Sequence, residues 1–433
     1  MRIAIWHNLP SGGGKRALYD QVAALLKRGH EIESWCPPSG DQRFLPLGEM
    51  ITEHVVDCRQ PPTGKWTTIR DLIDDTRADI EAMDGHCQVC AQQIAEREFD
   101  VLFASSCMKY RVTSIGRFSI LPSLLYLQEP YRWLYEALPE PPWAADDRST
   151  AWPIRPTELS RVLKRAVQMR LREIQVREEV RNARAFDVIA CNSRYSRESI
   201  LRAYGVSADV CYLGVDEMRF VPNKREDPRK PFFLTVGAAV PEKNVPFLIR
   251  ALARRKDTSW PLVWVANVAE EGHLNYTRRL AEDLGVRLDI RVDVSHHELL
   301  SLYREAALFL YAPRLEPFGL APLEAAACGL PVVAVAEAGT RETVSEGENG
   351  FLVAADEAAF AAKIDEVLKQ PELLRSMASR ARAFVRARWS LDEATNRLEE
   401  LLIRTLHRPS SSPVEELRQL RPTPNVPSSD KTS

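Results

Sequence analysis

The chain has 433 residues, 45% hydrophobic and 27% charged, with a formal net charge of −2. That length exceeds one ordinary domain, so two or three are expected. The near-neutral balance offers no bulk field for nucleic acid.

Eight scattered cysteines, with Cys191 and Cys211 in strand-like runs, suit a reducing cytosol better than a disulfide framework. Cys87 and Cys90 form a single CxxC without a second pair, short of the four ligands of a structural zinc site. Residues 1–5 read as a strand start and not as a signal peptide. No apolar run of about 18 residues is present to span a bilayer. The expected location is cytoplasmic.

In chain order, residues 2–7 predict a short buried strand and residues 9–14 a glycine turn. Ala17, Leu18, Val22, Leu25 and Leu26 then repeat at helical spacing up to Gly29, which suits a helix end. Residues 31–35 give the next strand, so the chain opens as a strand–glycine loop–helix–strand unit of a doubly wound sheet. Glycines in such a loop let a ligand approach the backbone. The spacing is neither GxGxxG nor a P-loop, so a plain tight turn stays open at this point. Residues 40–98 are poorly patterned, with helices expected at 67–83 and 87–98. Strands follow at 100–104 and 123–127; the second delivers Gln128 and the residues after it to the sheet's carboxyl edge. Residues 139–156 read as a loop. A long helix at 157–184 carries Arg161, Lys164, Arg165, Arg170, Arg172, Arg177, Arg181 and Arg184. It is either a solvated flank or a basic surface for anionic lipid. A strand at 187–193, a helix at 195–203 and a strand at 210–216 complete the first unit.

The charged, proline-flanked segment 222–231 is the expected linker. The alternation then restarts: strands at 231–237, 262–266 and 288–292 interleave with helices at 245–254, 276–284 and 298–306. A buried-looking strand at 307–311 leads into a loop with Glu316, Pro317, Phe318 and Gly319, then a small-residue helix to Gly329 and a strand at 332–335. Three helices follow at 358–368, 372–386 and 391–406. The proline- and serine-rich remainder reads as a disordered tail. The expected division is an N-terminal Rossmann-like domain at 1–221, the linker at 222–231, and a second Rossmann-like domain at 232–388. A helix at 389–407 returns to the first domain, and the tail covers 408–433.

Two such domains facing across a cleft can bring two substrates together away from water. Glu316 and Glu324, eight positions apart, can each hold hydroxyl groups. The amides of Phe318, Gly319 and Leu320 open the helix, which Glu324 is expected to head, and suit a phosphate. Lys243, on the second domain's first strand–helix loop, can neutralise diphosphate charge. Together these describe a nucleotide sugar lying along one domain's edge. Each part alone has a blander reading: Glu324 as a dipole-favoured helix acid and Lys243 as a solvated cation. No metal-binding cluster of acids is evident, so helix ends and basic side chains would carry a leaving diphosphate.

The segment from Glu316 through Glu324 to Val333 resembles the donor-site motif of retaining glycosyltransferases of the GT-B fold, family 4. Gly12, Gly13 and residues 28–30 resemble that family's N-terminal loop and helix end. Residues 192–193, 214–216 and Phe220 resemble its inter-domain segment, 236–243 its phosphate loop, and 349–353 its turn after the motif. The resemblance implies an α/β fold of two facing Rossmann-like domains, with the C-terminal helices returning to the first. It implies transfer of a mannosyl- or glucosyl-type hexosyl group from a nucleotide sugar to a glycan, lipid-linked or polysaccharide-precursor acceptor. Neither metal nor further cofactor is expected. Carried over residue by residue, Glu316 contacts the donor sugar, Glu324 the ribose, Lys243 the diphosphate, and Gly13 approaches the phosphates. Two positions depart from the pattern. Ala238 stands where the phosphate loop carries an Arg, and Gln128 where the first domain places a His near the sugar. Gln128 can hydrogen-bond a hydroxyl but cannot act as a base near neutral pH. The alternative is a non-catalytic sugar-nucleotide-binding scaffold of the same fold. On either reading a peripheral membrane surface would be reached through the basic helix.

Overall fold

The computed structural model describes residues 1–58, 69–135, 156–223, 229–266 and 270–408. Most of the loop expected at 139–156, the charged middle of the 222–231 linker, and the tail after residue 408 lie outside the described residues.

The first half is built from β1 (Arg2–Asn8), α1 (Gly13–Lys27), β2 (Glu31–Cys36), β3 (Thr52–Val55), α2 (Ile69–Ala95), β4 (Val101–Cys107), β5 (Ser123–Tyr126), α3 (Arg132–Tyr135), α4 (Pro156–Ala183), β6 (Val188–Cys191), α5 (Arg194–Tyr204) and β7 (Asp209–Val210). The strands form one sheet in the order β3-β2-β1-β4-β5-β6-β7, parallel throughout. Ile3, Ala4, Ile5 and Trp6 are all fully buried. A strand covered by helices on both faces reads as such an unbroken apolar run. The order reverses between β1 and β4, which opens a crevice at their carboxyl ends. The loops after β1, β4 and β5 empty into it.

The second half repeats the scheme with β8 (Lys230–Val236), α6 (Val245–Ala253), β9 (Leu262–Ala266), α7 (Glu271–Asp283), β10 (Leu288–Val292), α8 (His296–Glu305), β11 (Ala306–Tyr311), α9 (Leu320–Ala327), β12 (Val332–Val335), α10 (Thr340–Thr343), β13 (Gly350–Val353), α11 (Glu357–Leu368) and α12 (Pro371–Arg388). Its sheet runs β10-β9-β8-β11-β12-β13, again parallel. The last helix, α13 (Leu391–Leu406), crosses back and packs on α1, β4 and β5 of the first half. Arg28 and His30 fix it there through Glu399, each at 2.7 Å. Val215 pairs with Ser390 at the crossing. Gly214 is needed at that crossing, because a Cβ would overlap the Ser390 carbonyl and stand 2.8 Å from the Ala394 methyl.

Three local expectations change. The helices expected at 67–83 and 87–98 are a single 27-residue helix, α2. Met83, Cys87, Cys90, Ala91 and Ile94 keep one buried face across Gly85, and that packing outweighs the glycine's unfavourable propensity. The CxxC therefore lies inside a buried helix face, where burial pushes the Cys87 thiol up to about 12. β3 hides in the poorly patterned stretch, because this edge strand buries no side chain fully and shows no alternation. The strand expected at 210–216 is only two residues long.

Candidate active site

β11 is buried along its whole length and delivers the chain to the cleft at Tyr311. The following loop turns twice through left-handed backbone, at Leu315 (φ 51°) and Gly319 (φ 96°). Neighbouring loops hold it in place. The Leu315 amide donates to the Glu337 carboxylate at 2.9 Å, the Arg314 amide to the Glu242 carbonyl at 2.8 Å, and the Gly339 amide to the Glu316 carbonyl at 2.8 Å. Gly339 lies flat against the loop, and a Cβ there would overlap the Pro317 carbonyl. α9 begins at Leu320, so Glu324 sits in its second turn and does not head the helix. Pro322 allows the earlier start, since first-turn amides have no intrahelical acceptor to lose.

Gly12, Gly13, Gln128, Lys243, Glu316, Phe318, Gly319, Leu320 and Glu324 all line one cleft between the two halves, with a volume of about 600 Å³. Phe318 contributes backbone there. Its ring is buried against Trp389 at 5.5 Å and Tyr212 at 6.3 Å. Gly12 has φ 144° at the start of α1, a conformation suited to glycine. Gln128 follows β5, and its amide lies where a side chain on Gly14 would be, 3.2 Å from the ideal Cβ.

Both acids of the motif are ion-paired. Lys243 Nζ lies 2.7 Å from Glu316 Oε2. Burial would raise the Glu316 carboxyl, but Lys243, Arg132 and a Tyr311 hydrogen bond hold it below its ordinary value. Arg16 Nη1 lies 2.7 Å from Glu324 Oε1, and the Tyr303 hydroxyl donates to Glu324 Oε2 at 2.8 Å. Glu324 is 4% exposed. These pairs satisfy the charges that burial would otherwise leave stranded.

Tyr303 and Arg132 are functional neighbours with no signal in the sequence, whereas Arg16 and Lys15 are the basic residues that the sequence offers in place of the Arg missing at Ala238. Arg16 had a usable signal, since it stands on the first turn of the helix that Gly13 opens. Its neighbour Lys15 points the other way. Lys15 is fully buried beside His7, Glu53 and Cys36, and burial lowers its pKa. His7 Nε2 donates to the Glu53 carboxylate at 2.8 Å, while burial and Lys15 lower its pKa. Of the two basic residues after the glycines, only Arg16 faces the cleft.

The first domain also grips the motif loop directly. Ser193 donates to the Pro317 carbonyl, and Arg132 to the Leu315 carbonyl. The amides of Arg194 and Tyr195, at the start of α5, donate to Glu342 at 3.1 and 3.0 Å. Tyr212 adds a third bond to Glu342 at 2.7 Å. A carboxylate at a helix N-terminus is favoured by the free amides there.

Two Rossmann-like domains that close on a cleft, with a returning C-terminal helix, define the GT-B architecture. Solved structures share it. Anabaena HepE, solved in complex with UDP, superposes with a TM-score of 0.67 at 18% identity, covering 93% of this chain and 100% of that one. Sucrose-phosphate synthase from Thermosynechococcus elongatus gives 0.66 at 17%, covering 93% and 98%. The family model for glycosyl transferases group 1 matches residues 216–384. That match spans most of the second domain, which carries the Glu316–Glu324 motif. Among curated relatives, the GDP-mannose-dependent alpha-(1-6)-phosphatidylinositol monomannoside mannosyltransferase of Mycolicibacterium smegmatis is 31% identical over 237 residues, 50% of this chain and 62% of that protein. The D-inositol 3-phosphate glycosyltransferase of Frankia alni is 34% identical over 192 residues, 40% and 47%. The match thus spans about half to three-fifths of the length of these relatives. No helix among the described residues is long and apolar enough to cross a membrane.

Proposed function

We propose that this protein transfers a hexosyl group from a nucleoside diphosphate sugar to a glycan or lipid-linked acceptor, with retention at the anomeric carbon. One observation carries the reading: Glu316, Glu324, Lys243, the α9 N-terminus and the Gly12–Gly13 loop all line a single cleft. In this reading Glu324 takes the ribose hydroxyls and Glu316 the sugar. Lys243 and the free amides at Gly319 and Leu320 take the diphosphate as it leaves. One solved neighbour and one sequence relative fit such a donor: HepE, solved in complex with UDP, and the GDP-mannose-dependent mycobacterial enzyme. The leaving diphosphate accepts the acceptor's proton, so the neutral Gln128 amide is required only to orient a hydroxyl. The reading assigns no step to a metal or cofactor. It places donor and acceptor in an interdomain cleft with a cytoplasmic supply of nucleotide sugar. Contact with a membrane face would occur through α4.

The test is turnover of guanosine and uridine diphosphate sugars by the full chain, with product anomeric configuration read by NMR. Glu316→Ala is expected to lower turnover at least about a hundredfold without loss of secondary structure. Full activity in that variant removes the role given to Glu316. Ala238 and Gln128 favour a second reading, a donor-binding scaffold. Tight donor binding with no hydrolysis or transfer on any acceptor would establish it.

A further inference from the structure

We propose that Arg16 is the second cation of the diphosphate site, supplied by the first domain, and that it exchanges between two partners. In the structure it holds Glu324 at 2.7 Å. A donor's ribose hydroxyls, on taking Glu324, release the guanidinium to the diphosphate. The inference rests on the donor-site reading above and adds to it a moving residue and a link between the domains.

The cleft's charge distribution carries it. On the second-domain wall Lys243 is the cation and Ala238 presents only a methyl group. One ammonium is a poor match for a diphosphate, which carries more than one negative charge. The other guanidiniums of the cleft are engaged elsewhere. Arg132 and Arg111 share Glu129, at 2.5 and 3.2 Å, and Arg132 also serves the Leu315 carbonyl. Arg16 differs from them. The carboxylate it holds is the one that the donor-site reading assigns to sugar hydroxyls.

The exchange leaves no buried group stranded. Tyr303 keeps one oxygen of Glu324 at 2.8 Å, and a ribose hydroxyl replaces Arg16 on the other. The guanidinium moves to an anion that it can meet with two parallel N–H donors. Arg16 is placed for this move. It sits on the first turn of α1, directly after the glycine loop. Its guanidinium lies 5.9 Å from the Phe44 ring, a second cleft residue that supports it from the side. Because α1 belongs to the first domain and Glu324 to the second, the exchange ties donor binding to domain closure.

The test compares a nucleoside with its diphosphate, in the guanosine and uridine series, on the full chain. Calorimetry reads the diphosphate and an NMR titration the nucleoside. Arg16→Ala is expected to weaken the diphosphate about ten- to a hundredfold, and to leave the nucleoside unchanged or tighter, because Glu324 loses a competitor. Arg16→Gln, neutral and of similar length, gives the same pattern and serves if the alanine variant folds poorly. Equal losses for both ligands would overturn the proposal, since Arg16 would then act only by positioning Glu324. Unchanged diphosphate affinity would overturn it as well. If the unmodified chain binds neither series, the donor-site reading itself fails, which is a distinct result.

Discussion

On the second-domain side of the cleft, Glu316, Gly319 and Glu324 come from one run of nine residues. On the first-domain side, Gly12, Arg16, Arg111 and Gln128 come from the ends of three different strands. The first arrangement is written locally, as a spacing on one loop and helix. The second exists only because the sheet order puts β1, β4 and β5 side by side. The two walls should therefore respond differently to substitution. The local wall depends on the packing that holds one loop, and the assembled wall tolerates local change but depends on what lies beneath it.

Gly339→Ala should break the second wall most severely. Gly339 has φ −66°, so its backbone suits any residue, and the objection to a side chain is purely spatial. A methyl there meets the Pro317 carbonyl and the Phe318 amide, both backbone. The loop must shift, at a cost of about 3 kcal/mol or more. Thermal unfolding should show a clear drop, and the stabilising response to nucleoside diphosphate should vanish with it. Retention of that response would mean that the loop does not form the donor site.

Most strands and helices were legible in the sequence because both sheets are buried on two faces, and buried parallel strands read as plain apolar runs. The Glu316–Glu324 part of the second wall was legible because its residues are neighbours in the chain. Arg16 was legible as a basic residue near the phosphates, but its pairing with Glu324 was not, since the two stand 308 residues apart. Glu324 lies one turn further into its helix than expected, because α9 starts at Leu320 and takes Pro322 into its first turn. β3 was hidden by its half-exposed, charged composition, and α2's unity by a glycine whose cost is outweighed by packing. In each case a distant contact overrode the local signal.

The next effect probes what lies beneath the first wall. Glu179 of α4 is fully buried. It accepts from the Tyr204 hydroxyl at 2.9 Å and the Val112 amide at 3.2 Å. Tyr204 in turn accepts from the amide of Tyr131, which lines the cleft, at 3.2 Å. Burial raises the Glu179 pKa to about 7. The folded state therefore holds this proton more tightly than the unfolded chain. The contribution is fully present below about pH 4.5, declines as pH rises, and is lost through pH 7. The decline amounts to at most about 3 kcal/mol. Urea midpoints at pH 5 and pH 8 should converge in Glu179→Gln relative to the unmodified chain. An unchanged difference would place the pH dependence elsewhere.

The smallest effect is expected at Gly14, and it separates the walls most cleanly. Gly14 lies in α1 with ordinary helical backbone, where alanine is favoured over glycine by about 0.5–1 kcal/mol. A Cβ there would stand 3.2 Å from both terminal atoms of the Gln128 amide. Those atoms end a flexible side chain, so the amide swings aside and the backbone stays. Gly14→Ala should leave the melting temperature unchanged or slightly raised, and should leave nucleoside diphosphate affinity intact. Turnover should still fall about three- to tenfold, because the group that orients the reacting hydroxyl has moved. Stability and binding thus stay with the second wall while rate follows the first. Unaltered turnover would reduce the first wall's role to its glycine backbone and Arg16.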